Sequence, residues 1–310
     1  MTIRTLAIRT ALTLLAGGAL AAPARAEEAA SPELQATRAD IQKTVGFVPR
    51  FLRALPEEAA PGLWQEMKTL QLNPSTALPG RVKELIGLAV ASQIPCRYCI
   101  LAHTEFARLN GASERELGEA VAMAGLTRHW STFANGLQID QARFRSQVNE
   151  LVAGAKKAAA SGAHPQPVAV TDGASAQEDI RRSLGQVPEF IGRFPSVALA
   201  GAWTEFKSVQ LNPGTALPGK AKELIGLAVA SQIPCTYCIY AHTEFARLNG
   251  ATDQEIAEAV AMASLTRNLS TVLNGLQTDE VAFKQDVATL VAGARKAAAT
   301  ASRQGRKPAR

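Results

Sequence analysis

Two stretches of this chain are near-copies of each other, and this repeat is the strongest constraint on the fold. A constant offset of 139 residues aligns Trp64 with Trp203, and 38 of the 48 positions in 81–128 are identical in 220–267. Because the offset does not change along the alignment, the repeat indicates a tandem duplication of one structural unit. Any fold for the chain must therefore contain that unit twice.

The duplicated unit occupies 32–160 and again 174–299, and the segment 161–173 between the copies is predicted to be a linker. Proline, glycine and small residues in that segment favour extended or irregular backbone. Aromatic residues make up only 5% of the chain, alanine and leucine are abundant, and runs of β-branched residues are few. This composition is typical of helical proteins. We therefore predict an all-α fold with two tandem helical domains.

Proline, glycine and capping residues locate the helices of the first unit. Pro95 separates two helices, Asn110–Gly111 ends the second of them, and Ser113 with Glu116 forms a capping box before the next. The predicted helices are 39–44, 64–70, 81–93, 96–109, 114–127, 133–138 and 141–159. No strand is predicted, and the second unit should repeat this pattern.

All four cysteines of the chain belong to one motif that is present twice. In each copy the two cysteines are separated by two residues, a histidine follows the second by four positions, and a glutamate precedes the first by twelve. The two sets are Glu84, Cys96, Cys99 and His103, and Glu223, Cys235, Cys238 and His242. By contrast, His129 and Trp130 become Asn268 and Leu269, so chemistry that both copies share does not need them.

The spacing within the motif suits redox chemistry at sulfur. Residues four apart share a helix face, so the His103 imidazole can reach the Cys99 sulfur, and Cys96 is close enough to Cys99 for a disulfide. The thiolate is the nucleophile, and a histidine base or a helix N-terminus raises its fraction. Glu84, on the preceding helix, is placed to orient His103. Position at a helix start favours Cys96 as the more acidic thiol, whereas the histidine spacing favours Cys99.

Two further interpretations of the motif stay open. The C-x-x-C pairs can be structural disulfides, although closing so short a loop removes little chain entropy. The two cysteines, the histidine and Glu84 can also bind zinc.

The E-x11-C-x2-C-x3-H pattern resembles that of the alkylhydroperoxidase D-like proteins in the carboxymuconolactone decarboxylase superfamily. The G-x-V-P-x-F segments at 46–51 and 185–190 are also similar to members of that superfamily. The resemblance covers both repeats and implies an all-α fold of helical hairpins. It accounts for the motif without a metal, so we expect neither a metal nor another cofactor.

The resemblance also implies a role for each residue of the motif, and the roles are the same in both copies. The second cysteine of each pair would be peroxidatic, the first would resolve the oxidised state, and the glutamate and histidine would relay protons. These roles fall on Cys99 and Cys238, on Cys96 and Cys235, and on the pairs Glu84–His103 and Glu223–His242.

The net charge of the chain comes from its two ends. Residues 1–26 combine arginines, an apolar stretch and an A-x-A site, which is typical of a cleaved secretory signal peptide. The tail at 300–310 is basic and is predicted to be disordered. The segment 27–302 has 26 basic and 27 acidic residues, so the formal charge of +6 does not indicate nucleic-acid binding. No segment other than the signal is apolar enough to suggest a membrane partner.

These features together predict an exported, thiol-dependent peroxidase of the alkylhydroperoxidase type, periplasmic or secreted, in an oxidising compartment. Its substrates would be organic hydroperoxides or hydrogen peroxide, and an unknown dithiol reductant would reset it. The alternatives are a general thiol–disulfide oxidoreductase and a non-catalytic helical assembly module with structural disulfides. Because fusing two units can replace subunits of an oligomer, we also expect a homo-oligomer of the two-unit chain.

Overall fold

A computed structural model describes residues 30–162 and 168–303, and all regular structure in these ranges is helical. The first repeat contains α1 (Pro32–Val45), α2 (Arg50–Arg53), α3 (Ala60–Glu66), α4 (Gly80–Gln93), α5 (Arg97–Leu109), α6 (Glu114–Gly136) and α7 (Gln141–Ser161). The second contains α8 (Gly173–Leu184), α9 (Glu189–Gly192), α10 (Ser196–Val209), α11 (Gly219–Gln232), α12 (Thr236–Leu248), α13 (Asp253–Gly275) and α14 (Glu280–Arg303). The predicted all-α fold is confirmed.

Capping residues set where several of these helices begin. Ser31 caps α1 by accepting a backbone N–H of the first turn. The capping box predicted from Ser113 and Glu116 opens α6, and Thr252 with Glu255 forms the same box at α13. Each box satisfies two backbone N–H groups that the helix itself leaves unpaired. The equivalent helices of the two repeats therefore start at equivalent positions.

Two of the predicted helix boundaries were wrong. α6 is one helix of 23 residues, so the break predicted between 127 and 133 does not occur. That stretch contains neither proline nor glycine, and Trp130 and Ser131 within it are buried by packing. α1 begins at Pro32 instead of residue 39, because the Ser31 cap and the favoured first-turn proline extend it toward the N-terminus.

The two repeats share one core. α4 and α6 of the first repeat pack against α11 and α13 of the second. Leu85, Ile86 and Met123 from one side meet Leu224 and Met262 from the other in a single apolar cluster, and all five are essentially inaccessible to solvent. Each repeat thus covers apolar surface that the other would expose to water. The tandem units are interlocked and are not two free-standing domains.

The last helix of each repeat packs on the cysteine-bearing helix of the other repeat. α14 lies on α5, and Phe283 and Val287 of α14 join the cluster around the first cysteine pair. α7 lies on α12 in the same way, and Phe144 and Val148 join the cluster around the second pair. Each cysteine pair is therefore enclosed by both repeats.

Two carboxylates fasten the loops of one repeat to a helix of the other. Glu258 on α13 accepts hydrogen bonds from the backbone N–H groups of Ala77 and Leu78, at 2.8 and 2.7 Å. Glu119 on α6 makes the same two contacts with the equivalent backbone of the second repeat, at 2.7 and 2.8 Å. These loops lead into α4 and α11, the helices that carry the motif glutamates.

Three predicted segments lie wholly or partly outside the described residues. The predicted signal peptide, 1–26, lies outside them, as do 163–167 in the linker and 304–310. α7 ends at Ser161 and α8 begins at Gly173. α14 continues to Arg303, so the first residues of the predicted disordered tail are helical. Among the helices that the structure describes, none combines the length and apolar character needed to cross a membrane.

Candidate active site

The first cysteine pair lies at the N-terminus of α5. Cys96 is the N-cap residue, and its Sγ accepts the backbone N–H of Cys99 at 3.3 Å. The two Sγ atoms are 2.7 Å apart, compared with about 2.05 Å in a disulfide, and both cysteines are free and buried. Cys235 and Cys238 repeat this arrangement at α12, with distances of 3.3 and 2.8 Å.

Hydrogen bonding divides each pair into a strongly acidic and a weakly acidic thiol. The thiol of Cys99 donates to Cys96 and lowers the pKa of Cys96 to about 5, although burial opposes the shift. The same hydrogen bond, together with burial, raises the pKa of Cys99. Cys235 and Cys238 differ in the same way, and the pKa of Cys235 falls to about 5. The structure thus favours the argument from the helix N-terminus, by which the first cysteine carries the negative charge.

Side chains from the other repeat complete each thiolate site. Asn274 on α13 donates from Nδ2 to Sγ of Cys96 at 3.5 Å, and Ser270, one turn earlier, also hydrogen-bonds this sulfur. Both contacts lower the pKa of Cys96. Ser131 and Asn135 on α6 act in the same way on Cys235. The repeat alignment pairs these asparagines, but no pattern in the sequence links either of them to a sulfur.

Glu84 and His103 form a buried pair beside the first dithiol. Nδ1 of His103 lies 2.7 Å from Oε2 of Glu84, and the other carboxylate oxygen accepts from Nε2 of Gln71 at 3.0 Å. An ionised carboxylate can only accept, so we assign the Nδ1 proton to the histidine. The sequence predicted this Glu–His contact but missed Gln71, which a π-helical turn after α3, Met67–Gln71, brings to the carboxylate.

The second site repeats the pair, and a glycine makes room for each imidazole. His242 lies 2.7 Å from Glu223. A Cβ atom on Gly87 would come within 2.3 Å of Cε1 of His103, and one on Gly226 would come equally close to His242. Such contacts are far inside van der Waals separation, so both positions require glycine. Glycine within an otherwise helical pattern was a sequence signal for this close approach.

The direct contact expected between His103 and Cys99 is not made in the described residues. Helical spacing puts both side chains on one face, but the ring turns toward Glu84, and its Nε2 faces Oγ1 of Thr266 at 3.3 Å. In the second site Nε2 of His242 faces Oγ1 of Thr127 at 3.4 Å. Each histidine therefore links a glutamate of its own repeat to a threonine of the other.

This geometry separates the sulfurs from the Glu–His pair. Within the ranges 30–162 and 168–303, no group of three His, Cys, Asp or Glu side chains is arranged to hold a metal ion. The sulfurs hydrogen-bond to each other, and the histidines are directed at carboxylates. The arrangement that the zinc interpretation requires is thus not formed. Each site offers a thiol pair and, next to it, a pair that can carry a proton.

A cavity of about 1480 Å³ opens onto the second site. Cys238, His242 and Thr127 belong to its wall, whereas Cys235 does not. Cys235 is completely inaccessible to solvent, and Cys238 retains 8% exposure. A molecule that enters this cavity would therefore meet the sulfur of Cys238 first.

The fold and the site together define an all-α protein of two interlocked units, each carrying a buried cysteine pair. The sequence profile of the carboxymuconolactone decarboxylase family matches residues 58–142 and 198–278, which is more than half of the chain. The chain belongs to the carboxymuconolactone decarboxylase family, with one match in each repeat. The family resemblance and the tandem organisation inferred from the sequence are confirmed.

Two individual proteins resemble the chain. A Paracoccus denitrificans protein described as uncharacterized protein 4 in cox locus is 42% identical over 52 residues, which are 17% of this chain and 47% of that protein. The chain thus spans about half the length of this curated relative. A crystal structure from Burkholderia xenovorans, provisionally described as a gamma-carboxymuconolactone decarboxylase subunit, aligns over 88% of this chain and 99% of its own. With a TM-score of 0.50 and 17% identity, that likeness concerns the fold alone.

Proposed function

We propose that the protein is an exported thiol peroxidase that reduces organic hydroperoxides or hydrogen peroxide at its two cysteine pairs. The observation that carries the proposal is a pair of free, hydrogen-bonded cysteine sulfurs in each of two buried sites. Peroxide reduction needs a sulfur nucleophile and a second thiol that condenses with the resulting sulfenic acid. Sulfurs 2.7 and 2.8 Å apart meet both needs with little movement.

In the second site we assign the attack to Cys238, because it lines the cavity while Cys235 is fully buried. As Cys238 attacks the outer peroxide oxygen, its proton passes to the Cys235 thiolate, 2.8 Å away. The O–O bond breaks, and the outer oxygen remains on Cys238 as a sulfenic acid. The other oxygen leaves as an alkoxide, or as hydroxide from hydrogen peroxide, and takes up a proton.

The neighbouring cysteine then resolves the sulfenic acid. Cys235, now a thiol, condenses with the sulfenic acid of Cys238, so that a disulfide forms and one water molecule leaves. An external dithiol reduces this disulfide by exchange and is itself oxidised. Cys99 and Cys96 take the corresponding roles in the first site. One peroxide and one cysteine pair thus yield an alcohol, water and a disulfide.

The Glu–His pairs are assigned to proton delivery, because each histidine contacts a threonine and not a sulfur. Thr127 and His242 line the cavity together with Cys238, so a peroxide bound there lies close to the pair. Protonation of the departing alkoxide by a positioned group is general acid catalysis, which typically contributes about 10²–10⁴-fold to a rate. His103 with Glu84 would act in the same way in the first site.

The family supports enzymatic activity in general terms, as a decarboxylase or an alkylhydroperoxidase. We propose the peroxidase because the buried groups that both sites share centre on two sulfurs, which decarboxylation does not require. Export is part of the proposal and rests on residues 1–26. The reductant is an unidentified dithiol, and the proposed partners include neither nucleic acid nor a membrane.

Single-turnover oxidation tests the proposal. The pre-reduced mature protein is mixed with cumene hydroperoxide or hydrogen peroxide, and the state of each thiol is followed by mass spectrometry. The wild type should form one disulfide in each pair. Cys99→Ser/Cys238→Ser should not consume peroxide, and Cys96→Ser/Cys235→Ser should accumulate sulfenic acid on Cys99 and Cys238.

Two outcomes would overturn the proposal. If the thiols reacted with peroxide no faster than free cysteine, the proposed peroxidase function would be refuted. Rapid exchange with reduced proteins and dithiols, without consumption of peroxide, would instead assign the chain to the thiol–disulfide oxidoreductases.

A further inference from the structure

The two cysteine sites share their reacting groups but differ in the apolar residues around them. The differences cluster where α6 and its equivalent α13 meet the loop before α3 or α10. On the side of the second site the residues are aromatic, and on the side of the first they are mostly aliphatic. The pairs, second site first, are Trp130 and Leu269, Phe133 and Val272, Phe194 and Leu55, and Phe206 and Met67.

Trp130 is the centre of the aromatic group. Its ring centroid lies 5.3 Å from that of Phe194, 5.7 Å from Phe190 and 6.0 Å from Phe206. Trp130, Phe190 and Phe206 all line the cavity that reaches Cys238. The contacts with Phe190 and Phe206 are edge-to-face, a favoured arrangement, and aromatic rings present large apolar surfaces to a ligand. Leu269, at the equivalent place, instead packs into a cluster with Leu52 and Leu55, in which Trp64 and Phe51 are the aromatic members.

The cavity is larger than the peroxide group alone requires. Sites for small organic ligands typically occupy roughly 300–1,000 Å³, and they combine apolar walls with a few polar groups that fix orientation. The cavity of about 1480 Å³ has such a wall and a reactive end at Cys238, His242 and Thr127. Hydrogen peroxide would fill only a small part of this volume.

The indole N–H of Trp130 differs from those of the other two tryptophans in its hydrogen bonding. Trp130 is buried, and its indole N–H forms no hydrogen bond with any described residue. The other two tryptophans do not share this property, since Trp64 donates to Asp40 and Trp203 to Asp179. The indole nitrogen itself is inaccessible to solvent, so the cavity meets the apolar part of the Trp130 ring and not its N–H.

We propose that the second site binds hydroperoxides with a long apolar body, of the size of a fatty-acyl chain, and that the first site does not share this preference. The apolar chain lies against the aromatic wall, and the hydroperoxide group reaches Cys238. The chemistry at that end rests on the proposed peroxidase function. The binding itself does not, because it depends on the cavity alone.

Binding is tested with an inert ligand, so that its outcome is independent of turnover. A long-chain hydroxy fatty acid, the alcohol product of such a hydroperoxide, is titrated calorimetrically into the reduced mature chain. We expect one molecule to bind per chain. Trp130→Leu, which gives the second site the residue found at the equivalent place beside the first, removes the central ring of the wall and should weaken binding about tenfold. Leu269→Phe, the matched change beside the first site, should leave the affinity unchanged.

Three results of the titration would overturn the proposal. They are the absence of binding, a stoichiometry of two per chain, and an affinity that Trp130→Leu does not alter. Absence of binding in a protein that still consumes cumene hydroperoxide would leave the peroxidase function standing and remove only this inference.

Selectivity is tested in chains with a single intact site. Cys96→Ser/Cys99→Ser retains the second site, and Cys235→Ser/Cys238→Ser retains the first. The ratio of the rate with a fatty-acyl hydroperoxide to the rate with hydrogen peroxide should be at least about tenfold higher at the second site. Equal ratios would refute the proposed difference. If neither chain consumes any peroxide while the hydroxy fatty acid binds once per chain, the peroxidase function fails and the ligand site remains.

Discussion

The side-chain amide of Asn274, in the second repeat, donates a hydrogen bond to Sγ of Cys96, in the first repeat, across 3.5 Å. Asn135 acts on Cys235 in the reciprocal sense. A repeat that carries a complete E-x11-C-x2-C-x3-H motif is therefore still missing part of its site. The acidity of each dithiol depends on an asparagine that lies a hundred residues or more away in the sequence.

Asn274→Ala should raise the pKa of Cys96 and leave that of Cys235 unchanged. The amide stabilises the thiolate, and its loss should shift the pKa upward by about one unit, the equivalent of one hydrogen bond to a charged group. Asn274 is an exposed residue, so its truncation opens no buried cavity. The ultraviolet absorbance of the thiolate, titrated in Cys235→Ser/Cys238→Ser, reports Cys96.

The matched variant is Asn135→Ala in Cys96→Ser/Cys99→Ser. It should raise the pKa of Cys235 by a similar amount. The crossed combinations serve as controls. If Asn135→Ala changed the pKa of Cys96, or if Asn274→Ala left it unchanged, the thiolate of each repeat would not depend on an asparagine of the other repeat.

The reduced protein should hold two thiolates per chain near neutral pH. The pKa values of Cys96 and Cys235 lie at about 5, well below the usual value of about 8.5, because a neighbouring thiol donates to each. Thiolate absorbance should therefore rise with a midpoint near pH 5 and be stable at neutral pH. Cys99 and Cys238, whose pKa values are raised, should stay protonated there.

Linkage fixes how these ionisations affect folding. A pKa that is lower in the folded than in the unfolded protein adds stability, fully present above the unfolded value and lost as pH falls through about 5. Denaturant titrations of the reduced protein at several pH values measure this contribution. A thiolate midpoint near that of free cysteine would refute the assignment of the negative charge to Cys96 and Cys235.

Gly87→Ala should disable proton delivery at the first site. The added Cβ would lie 2.3 Å from the His103 ring, so the imidazole must move away from Glu84. We expect single-turnover reduction of cumene hydroperoxide to slow by about 100-fold in Cys235→Ser/Cys238→Ser, with a stability loss of about 1–3 kcal/mol from overpacking.

Gly118→Ala provides the control for this substitution. Gly118 is an exposed glycine within α6, its added Cβ would meet no atom within 4 Å, and the second repeat carries Ala257 at that place. This change should stabilise the protein by about 0.5–1 kcal/mol and leave the peroxide rate as it is. If Gly87→Ala reacted as fast as Gly118→Ala, the histidine would have no part in the reaction.

Glu258→Gln should weaken the hydrogen bonds by which α13 holds the loop before α4. The two carboxylate oxygens accept from two backbone N–H groups, and an amide can replace only one of these acceptors. The remaining N–H would face another donor in a buried place, which costs about 1–3 kcal/mol in the free energy of unfolding. Urea denaturation of the two proteins side by side measures the loss.

The pH dependence of that loss has a definite sign. Burial raises the pKa of Glu258, but the N–H groups of Ala77 and Leu78 outweigh it and hold the pKa below its ordinary 4.5. Its contribution is therefore present above about pH 4.5 and is lost as pH falls through the lowered value. The stability gap between wild type and Glu258→Gln should narrow in acid. A gap that stays constant with pH would exclude the carboxylate charge as its source.

The sequence predicted those features that depend on local pattern. The capping box at Ser113 placed the start of α6, and the spacing of the motif anticipated both the cysteine pair and the contact of Glu84 with His103. The missing break in α6 illustrates a limit, because polar residues alone do not interrupt a helix that tertiary packing supports. Helical spacing alone also predicted that His103 can reach the Cys99 sulfur. In the structure the ring instead faces the buried carboxylate of Glu84.

The exchange of elements between the repeats could not be derived from the sequence. When two units are nearly identical, a helix equivalent to α6 satisfies the same contacts whether it comes from its own repeat or from the other. Asn135 and Asn274 are therefore interchangeable in sequence, and only the path of the chain decides which sulfur each one meets. Nor could the sequence reveal that the Trp130 N–H meets no acceptor among the described residues, because that depends on how its neighbours pack.

The interlocked core has a consequence for heredity. In a symmetric assembly of identical subunits one codon specifies both sites, so every substitution appears twice. Here each half has its own codons, while the shared core keeps the halves in a fixed one-to-one ratio. A mutation such as the one that separates Trp130 from Leu269 can therefore change one site and spare its twin. The joined chain gives natural selection two independent versions of one site within a single molecule.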